Sequence, residues 1–320
     1  MKSSFIISLD FELIWGMHEG DLVNSSCNEN INGGRKAIPA LLKLFEKYEI
    51  HATWAVVGLM FAENVEEARK YFPSESMQPA YKNINMSPYP LIESIGKPDI
   101  DNVLYFAPEV IKQIAKIEGQ EIASHTFSHF YCTEPGATIE EFKSDMESAL
   151  CIAKAKGYDI KSVIFPKNLY TEEHIEIAKG LGLKAYRGLR GKWLYGGEKT
   201  FFKRCLRLLD TYIPITGNTC STEEECGGIY NICDSMMYRP FFKPLFFLEW
   251  LKIYRIKCQM KYAAKKGLNF HLWWHPHNIG VRTGFHLKQL EDIFSYFEKL
   301  KQKYGMESYN MGEVTETRKK

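Results

Sequence analysis

The sequence predicts an α/β protein whose strands and helices alternate into a parallel sheet or barrel. Two observations carry this. Short β-branched or aromatic runs are each followed by a longer segment with apolar residues at helical spacing. The helical segments also start and stop at residues that cap helices. Such alternation is the mark of βα units. With 320 residues, 45% of them hydrophobic, the chain can bury a sizeable core, and residues 1–320 read as a single domain.

In chain order, "SFIISLD" (Ser4–Asp10) reads as a buried strand. "GRKAIPALLKLFEKY" (Gly34–Tyr48) follows as a helix, with Ile38, Leu41, Leu42 and Phe45 on one face. "HATWAVVG" (His51–Gly58) is the second strand. "PEVIKQIAKIEG" (Pro108–Gly119) has proline near its start and glycine past its end, as helices do. "QEIAS" (Gln120–Ser124) is the third strand. The next helix opens with Thr138 and Glu141 in a capping box and closes on Gly157. "KSVIFP" (Lys161–Pro166) is the fourth strand, "TEEHIEIAKGLG" (Thr171–Gly182) a second capped helix, and "LKAYRG" (Leu183–Gly188) the fifth strand. "GLNFHLWW" (Gly267–Trp274) is a late strand, before an amphipathic last helix, His286–Gly305. Two stretches break the rhythm, at about 59–106 and 189–240, and read as long irregular insertions of the kind that carry specificity.

Composition removes several function classes. There are 41 basic and 39 acidic residues, a net charge of +2, without the basic excess of a nucleic-acid binder. The start "MKSSFIISLDFE" has no signal-peptide pattern, and no run of about 18 apolar residues occurs to span a membrane. None of the eight cysteines stands in a C-x-x-C pair. They are expected to be reduced thiols in a cytoplasmic protein. Arg239–Lys266 carries eight basic residues and one acid among large apolar ones. It reads as a core helix with a basic outer face; the other reading is peripheral contact with the inner surface of an anionic membrane.

In barrel enzymes the chemistry lies where strands end, and the candidate residues fall there. Asp10 and Glu12 end the first strand, and His125 and His129 follow the third. Lys167 and Asn168 follow the fourth, Arg187 the fifth, and His275 and His277 the late strand. Two imidazoles and one carboxylate, from Asp10 or Glu12, suit a catalytic divalent metal. A second carboxylate can then take a proton from water, and a histidine can return one to a leaving group. Trp273, Trp274, Trp54 and Trp15 are candidates to stack on a sugar; at most one of Trp273 and Trp274 can face the mouth, because strand residues alternate.

"SLDFE", "SHTFSH", "IFPKNLY" and "WWHPHN", in that order at successive strand ends over residues 4–280, resemble the polysaccharide deacetylase (NodB-homology) family, the fourth carbohydrate esterase family. The most specific element is H-[ST]-x-x-H, met by His125, Thr126 and His129. The resemblance implies a distorted (β/α)7 barrel and a metal-dependent hydrolase that removes acyl groups from amino sugars. It implies Asp10 as base, Glu12, His125 and His129 as metal ligands, and His275, followed by proline as in the family, as acid. The third motif departs. The family's arginine, which holds the base, is replaced in "FPKNLY", so Lys167, Asn168 or Arg187 is expected to take over. Trp274 and His277 complete the expected substrate contacts.

The sequence thus predicts hydrolysis of a non-peptide C–N amide bond with one divalent metal, zinc. The expected reaction is N-deacetylation of an amino sugar, nucleotide- or lipid-linked, in the synthesis of cell-surface polysaccharide. The alternatives are hydrolysis of another small amide or formyl group, or a non-catalytic glycan-binding protein.

Overall fold

The computed structural model describes residues 2–17, 25–95, 102–191, 193–195 and 200–317. The strands among them are β1 (Ser4–Phe11), β2 (Ala52–Val56), β3 (Gln120–Ser124), β4 (Ser162–Val163), β5 (Ala185–Tyr186), β6 (Glu224–Cys226), β7 (Ile229–Asn231), β8 (Met236–Met237), β9 (Asn269–Trp274) and β10 (Glu307–Tyr309). The helices are α1 (Ser25–Lys47), α2 (Val65–Arg69), α3 (Tyr89–Ser94), α4 (Pro108–Ala115), α5 (Ile139–Ala155), α6 (Glu172–Gly180), α7 (Phe201–Leu209), α8 (Glu249–Lys266), α9 (Thr283–Tyr304) and α10 (Met311–Thr317).

β1 to β5 pair in parallel in sequence order, and β9 lies parallel on the other side of β1. The ring is closed by a single length of chain. Residues 229–234 run beside β5, with Ile232 N–H donating to Tyr186 O at 2.9 Å and Asp234 N–H to Gly188 O at 2.9 Å. The same chain then moves to β9, with Ser235 N–H donating to His271 O and Tyr238 N–H to Trp273 O, both at 2.8 Å. With β7 and β8 counted as one strand the barrel has seven, the distorted (β/α)7 form that the resemblance implies. β6 adds an antiparallel flap to β7, and β10 pairs with the start of β1.

Alternation along the strands sorts the core. Phe5, Ile7 and Leu9 of β1, with Phe270, Leu272 and Trp274 of β9, face outward and pack with Ile38, Leu41 and Phe45 of α1 and Phe294 and Phe297 of α9. Ile6 faces inward with Ala55, Ile164 and Ala185, where Met311 and Val314 of α10 plug one end. Higher in the barrel the inward positions turn polar: Ser8, Asp10, Arg187 and His271 are all buried.

α1 begins at Ser25, nine residues before the predicted start, because Gly33 and Gly34 lie inside the helix rather than ahead of it. The connection at 189–240 is not irregular throughout, since its later part supplies the closing strand. Residues 96–101, 192 and 196–199 of the two connections lie outside the described residues. α8 packs against α9 and the barrel, and its charges do not form one free face. Lys252 and Arg255 are buried in ion pairs with Glu249 (2.6 Å) and Asp210 (3.1 Å), and Lys257 pairs with Asp292 at 2.7 Å.

Candidate metal centre

β1 delivers two carboxylates. Asp10 is an inward position of the strand. Glu12 follows as the chain turns at Leu13, whose φ is 47°, into a short 3-10 turn, Leu13–Gly16. A Cβ on Gly16 would lie 2.1 Å from the Glu12 carboxyl carbon, so only glycine leaves that carboxylate its place. Five non-glycine residues at the mouth have positive φ: Leu13, Thr126, His129, Lys167 and Asn168. Strained backbone gathers where geometry is imposed by function.

The loop after β3 brings His125 and His129 to Glu12. Ser124 Oγ accepts from Thr126 N–H at 3.0 Å, and Thr126 Oγ1 from Phe130 N–H at 2.7 Å. Asp145 of α5 braces the loop from behind, accepting from Phe127 N–H (2.7 Å), Ser128 N–H (3.1 Å) and the Ser128 hydroxyl. Sequence reading missed Asp145, although an acid within the apolar stripe Phe142, Met146, Ala149 and Ile152 was a usable signal. As a result, Glu12 Oε2 lies 3.3 Å from His125 Nε2 and 3.1 Å from His129 Nε2. One ligand atom from each of the three falls within 4.8 Å of the others, and all three residues are buried.

This donor set fits a cation. His125 Nδ1 is 2.7 Å from Ile164 O, and a carbonyl only accepts, so the ring proton sits on Nδ1. In the neutral ring Nε2 then presents a lone pair to a carboxylate oxygen. Two buried acceptors facing each other repel unless a positive charge lies between them. A histidine whose other nitrogen donates to a carbonyl is also the usual state of a metal ligand.

His275 closes the group from β9. Its Nε2 is 3.4 Å from Glu12 Oε1 and 3.8 Å from Asp10 Oδ2, while Nδ1 is 3.3 Å from Asn278 Oδ1. The loop carrying it crosses α1 almost backbone to backbone. A Cβ on Gly33 would lie 2.2 Å from Gly280 O, one on Gly34 2.7 Å from His277 Cα, and one on Gly280 2.1 Å from Asn30 O. His277 stacks on His275, ring centroids 4.8 Å apart, and burial with the neighbouring His275 pushes its pKa down to about 4.

Of the three candidates to hold Asp10, the structure puts Arg187 there. Its Nη1 and Nη2 donate to the two Asp10 oxygens at 2.7 Å each, its Nε to Asn168 Oδ1 at 3.0 Å, and Nη1 also to Ser8 Oγ at 3.0 Å. Lys167 instead lies over the Tyr131 ring at 4.2 Å. Trp274 is corrected. It is fully buried on the outer face of β9, against Phe45 and Tyr238, and cannot touch a substrate. Its neighbour Trp273 faces inward, with the Arg187 guanidinium 4.3 Å from its ring and its indole N–H donating to Asp234 at 3.0 Å. His271 lines the barrel beneath, Nε2 2.8 Å from Ser8 Oγ.

Burial pushes both carboxyls up, but the charges around them win. The Arg187 guanidinium holds Asp10 below the usual carboxylate range. The His275 ring beside it holds Glu12 well below it. Both acids are ionised at neutral pH.

The architecture defines the class, a deacetylase-type (β/α) barrel. The family model for polysaccharide deacetylase matches residues 31–186. The matched stretch holds His125 and His129 but ends before Arg187 and His275. No curated protein sequence matches the chain. Among solved structures it is similar to a putative polysaccharide deacetylase from Mycobacterium smegmatis, with 12% identity over 99% of this chain and 91% of that one and a TM-score of 0.58. A probable polysaccharide deacetylase from Pseudomonas aeruginosa PAO1 gives 11% identity over 98% and 89%, TM-score 0.57. The Puue allantoinase gives 12% over 98% and 90%, TM-score 0.58. At such identities the likeness is one of fold.

Proposed function

We propose that the protein is a metal-dependent hydrolase that N-deacetylates an amino sugar. The carrying observation is the meeting of the His125 Nε2 lone pair, His129 Nε2 and Glu12 Oε2 at one buried point. Glu12, His125 and His129 would hold a divalent cation, zinc by ligand type. When bound, it supplies Lewis-acid polarisation of an amide carbonyl and acidifies water.

The remaining residues divide the proton work. Asp10, kept ionised by the Arg187 fork, takes a proton from the attacking water. His275, anchored through Nδ1 by Asn278, turns Nε2 to the site and protonates the departing nitrogen. Asn168 and Ser8 keep the guanidinium in plane with the Asp10 carboxylate. We place the substrate among nucleotide- or lipid-linked amino sugars of cell-surface polysaccharide synthesis. We place the enzyme in the cytoplasm, which suits free thiols at Cys151, Cys205, Cys226 and Cys258, all exposed.

Metal content and deacetylation of N-acetylated sugars test this together. His125→Ala should lose stoichiometric metal. Asp10→Asn should keep metal and lose roughly 10²–10⁴-fold in turnover. Full metal occupancy in His125→Ala would sink the ligand assignment.

Contact with a membrane surface is supported by exposed aromatics rather than by the charges of α8. Phe201 and Phe202 of α7 are 80% and 70% exposed, and Phe246 and Trp250 63% and 65%. No helix among the described residues is long and apolar enough to cross a membrane. Replacing Phe201, Phe202 and Trp250 by Ser should abolish co-sedimentation with phosphatidylglycerol vesicles. Wild-type protein that stays in the supernatant would end the membrane reading.

A further inference from the structure

A cavity of about 200 Å³ has Trp273 in its wall together with Asn168, Arg190, Arg207, Arg239 and Arg255. Two of the four guanidiniums are neutralised. Arg190 pairs with Asp234 at 3.2 Å and Arg255 with Asp210 at 3.1 Å. Asp210 is further occupied by Tyr195 OH and by Thr216. Among the described residues no carboxylate lies within ion-pair distance of Arg207 or Arg239, and Arg207 Nε donates only to the Lys203 carbonyl, at 3.2 Å. Burial, with Arg190 and Arg207 close by, holds the Arg239 guanidinium below its ordinary pKa. Half-buried like charges gathered without a counter-charge are costly unless an anion joins them. A second hollow, between Phe201 and Leu208, reaches the same two arginines from the exposed aromatic side.

We propose that Arg207 and Arg239 form a phosphoryl subsite, so that the substrate is an amino-sugar phosphate or diphosphate whose acetamido group reaches Asp10 and Glu12 past Trp273. This rests on the deacetylase reading above. Guanidinium forks match phosphate oxygens in geometry and charge. Trp273 links the two: it lines the cavity, and its ring carries the Arg187 guanidinium that orients the base. The outer hollow, lined by Phe201 and Leu208, leaves room for whatever the phosphate carries, a lipid chain or a nucleoside.

The test uses metal-loaded, full-length protein with N-acetylglucosamine 1-phosphate and methyl N-acetylglucosaminide. Calorimetry should show the phosphate ester binding at least about tenfold more weakly to Arg207→Gln and Arg239→Gln than to wild type. The ratio of kcat/KM for the phosphorylated over the neutral sugar should fall by a similar factor, through KM, with Arg207→Lys intermediate. Unchanged binding in both variants, or a wild type with no preference for the phosphorylated sugar, overturns the subsite. If neither sugar is turned over yet Arg239→Gln still loses binding of the phosphate ester, the subsite stands and the deacetylase reading falls. UDP-N-acetylglucosamine and farnesyl-phosphoryl N-acetylglucosamine, assayed in parallel, tell the sources apart. Turnover of either above the neutral glycoside supports the subsite and identifies the carrier.

Discussion

Replacing Arg187 by Met would remove one partner of a buried ion pair and leave the other. Arg187 is fully buried and Asp10 is 3% exposed. Their two 2.7 Å hydrogen bonds are joined by those to Asn168 and Ser8 and by the Trp273 stack. Breaking such a pair from one side costs about 3–5 kcal/mol, most of it the uncompensated charge left behind. In a chain of this size that corresponds to a fall in Tm of roughly 4–7 °C. Asp10→Asn/Arg187→Met should recover part of the loss, because it removes the stranded carboxylate as well. Catalysis gives a second reading. Without Arg187 burial acts on Asp10 unopposed by the fork, its pKa rises, and the acid limb of kcat/KM should move to higher pH. Circular dichroism melts and pH–rate profiles of wild type, both single variants and the double decide the matter. An Arg187→Met protein that melts with wild type and keeps its acid limb would refute Arg187 as the orienting residue.

Gly16→Ala should weaken metal binding about 10–100-fold, read by competition with a chelating dye, with little change in Tm, since the new methyl displaces the Glu12 carboxylate and little else. Stability should also fall in acid. Burial pushes the imidazoles of His271 and His286 down to about 4, against an ordinary 6.5. Their contribution is therefore complete above pH 6.5 and is lost as pH falls from 6.5 towards 4, together about 4 kcal/mol by pH 5. Urea melts at pH 7.5 and pH 5 should show this loss, and equal midpoints would contradict neutral buried rings.

What the sequence reveals and what it hides divide along physical lines. The strand ends were legible because each carries a polar residue straight after an apolar run, as in "FIISLDFE" and "WWHPHN". The closing strand was not. Tyr230 pairs with inward Ala185, but Met236, six residues on and of the same parity, pairs with outward Leu272. The chain slips by one position as it changes neighbours, which destroys the period of two by which a strand is recognised. Arg187 was visible as a candidate, yet choosing it over Lys167 needed a tertiary fact, namely that β5 points it at Asp10 across the barrel. Trp273 and Trp274 are adjacent in sequence, and only the register of β9 tells which of them faces inward.

The crossing of α1 over the His275 loop bears on any attempt to transplant this site. Five side chains copied onto another barrel would not reproduce it, because nothing in their own chemistry fixes the distance from His275 to Glu12. That distance is set where Gly33 and Gly34 let the α1 backbone settle onto Pro276–Gly280. A scaffold with alanine at these positions would hold the loop off by the width of a methyl group. The smallest portable unit therefore joins α1 and the 275–280 loop to the end of β1 and to the β3 loop that carries His125 and His129, rather than being a list of ligands.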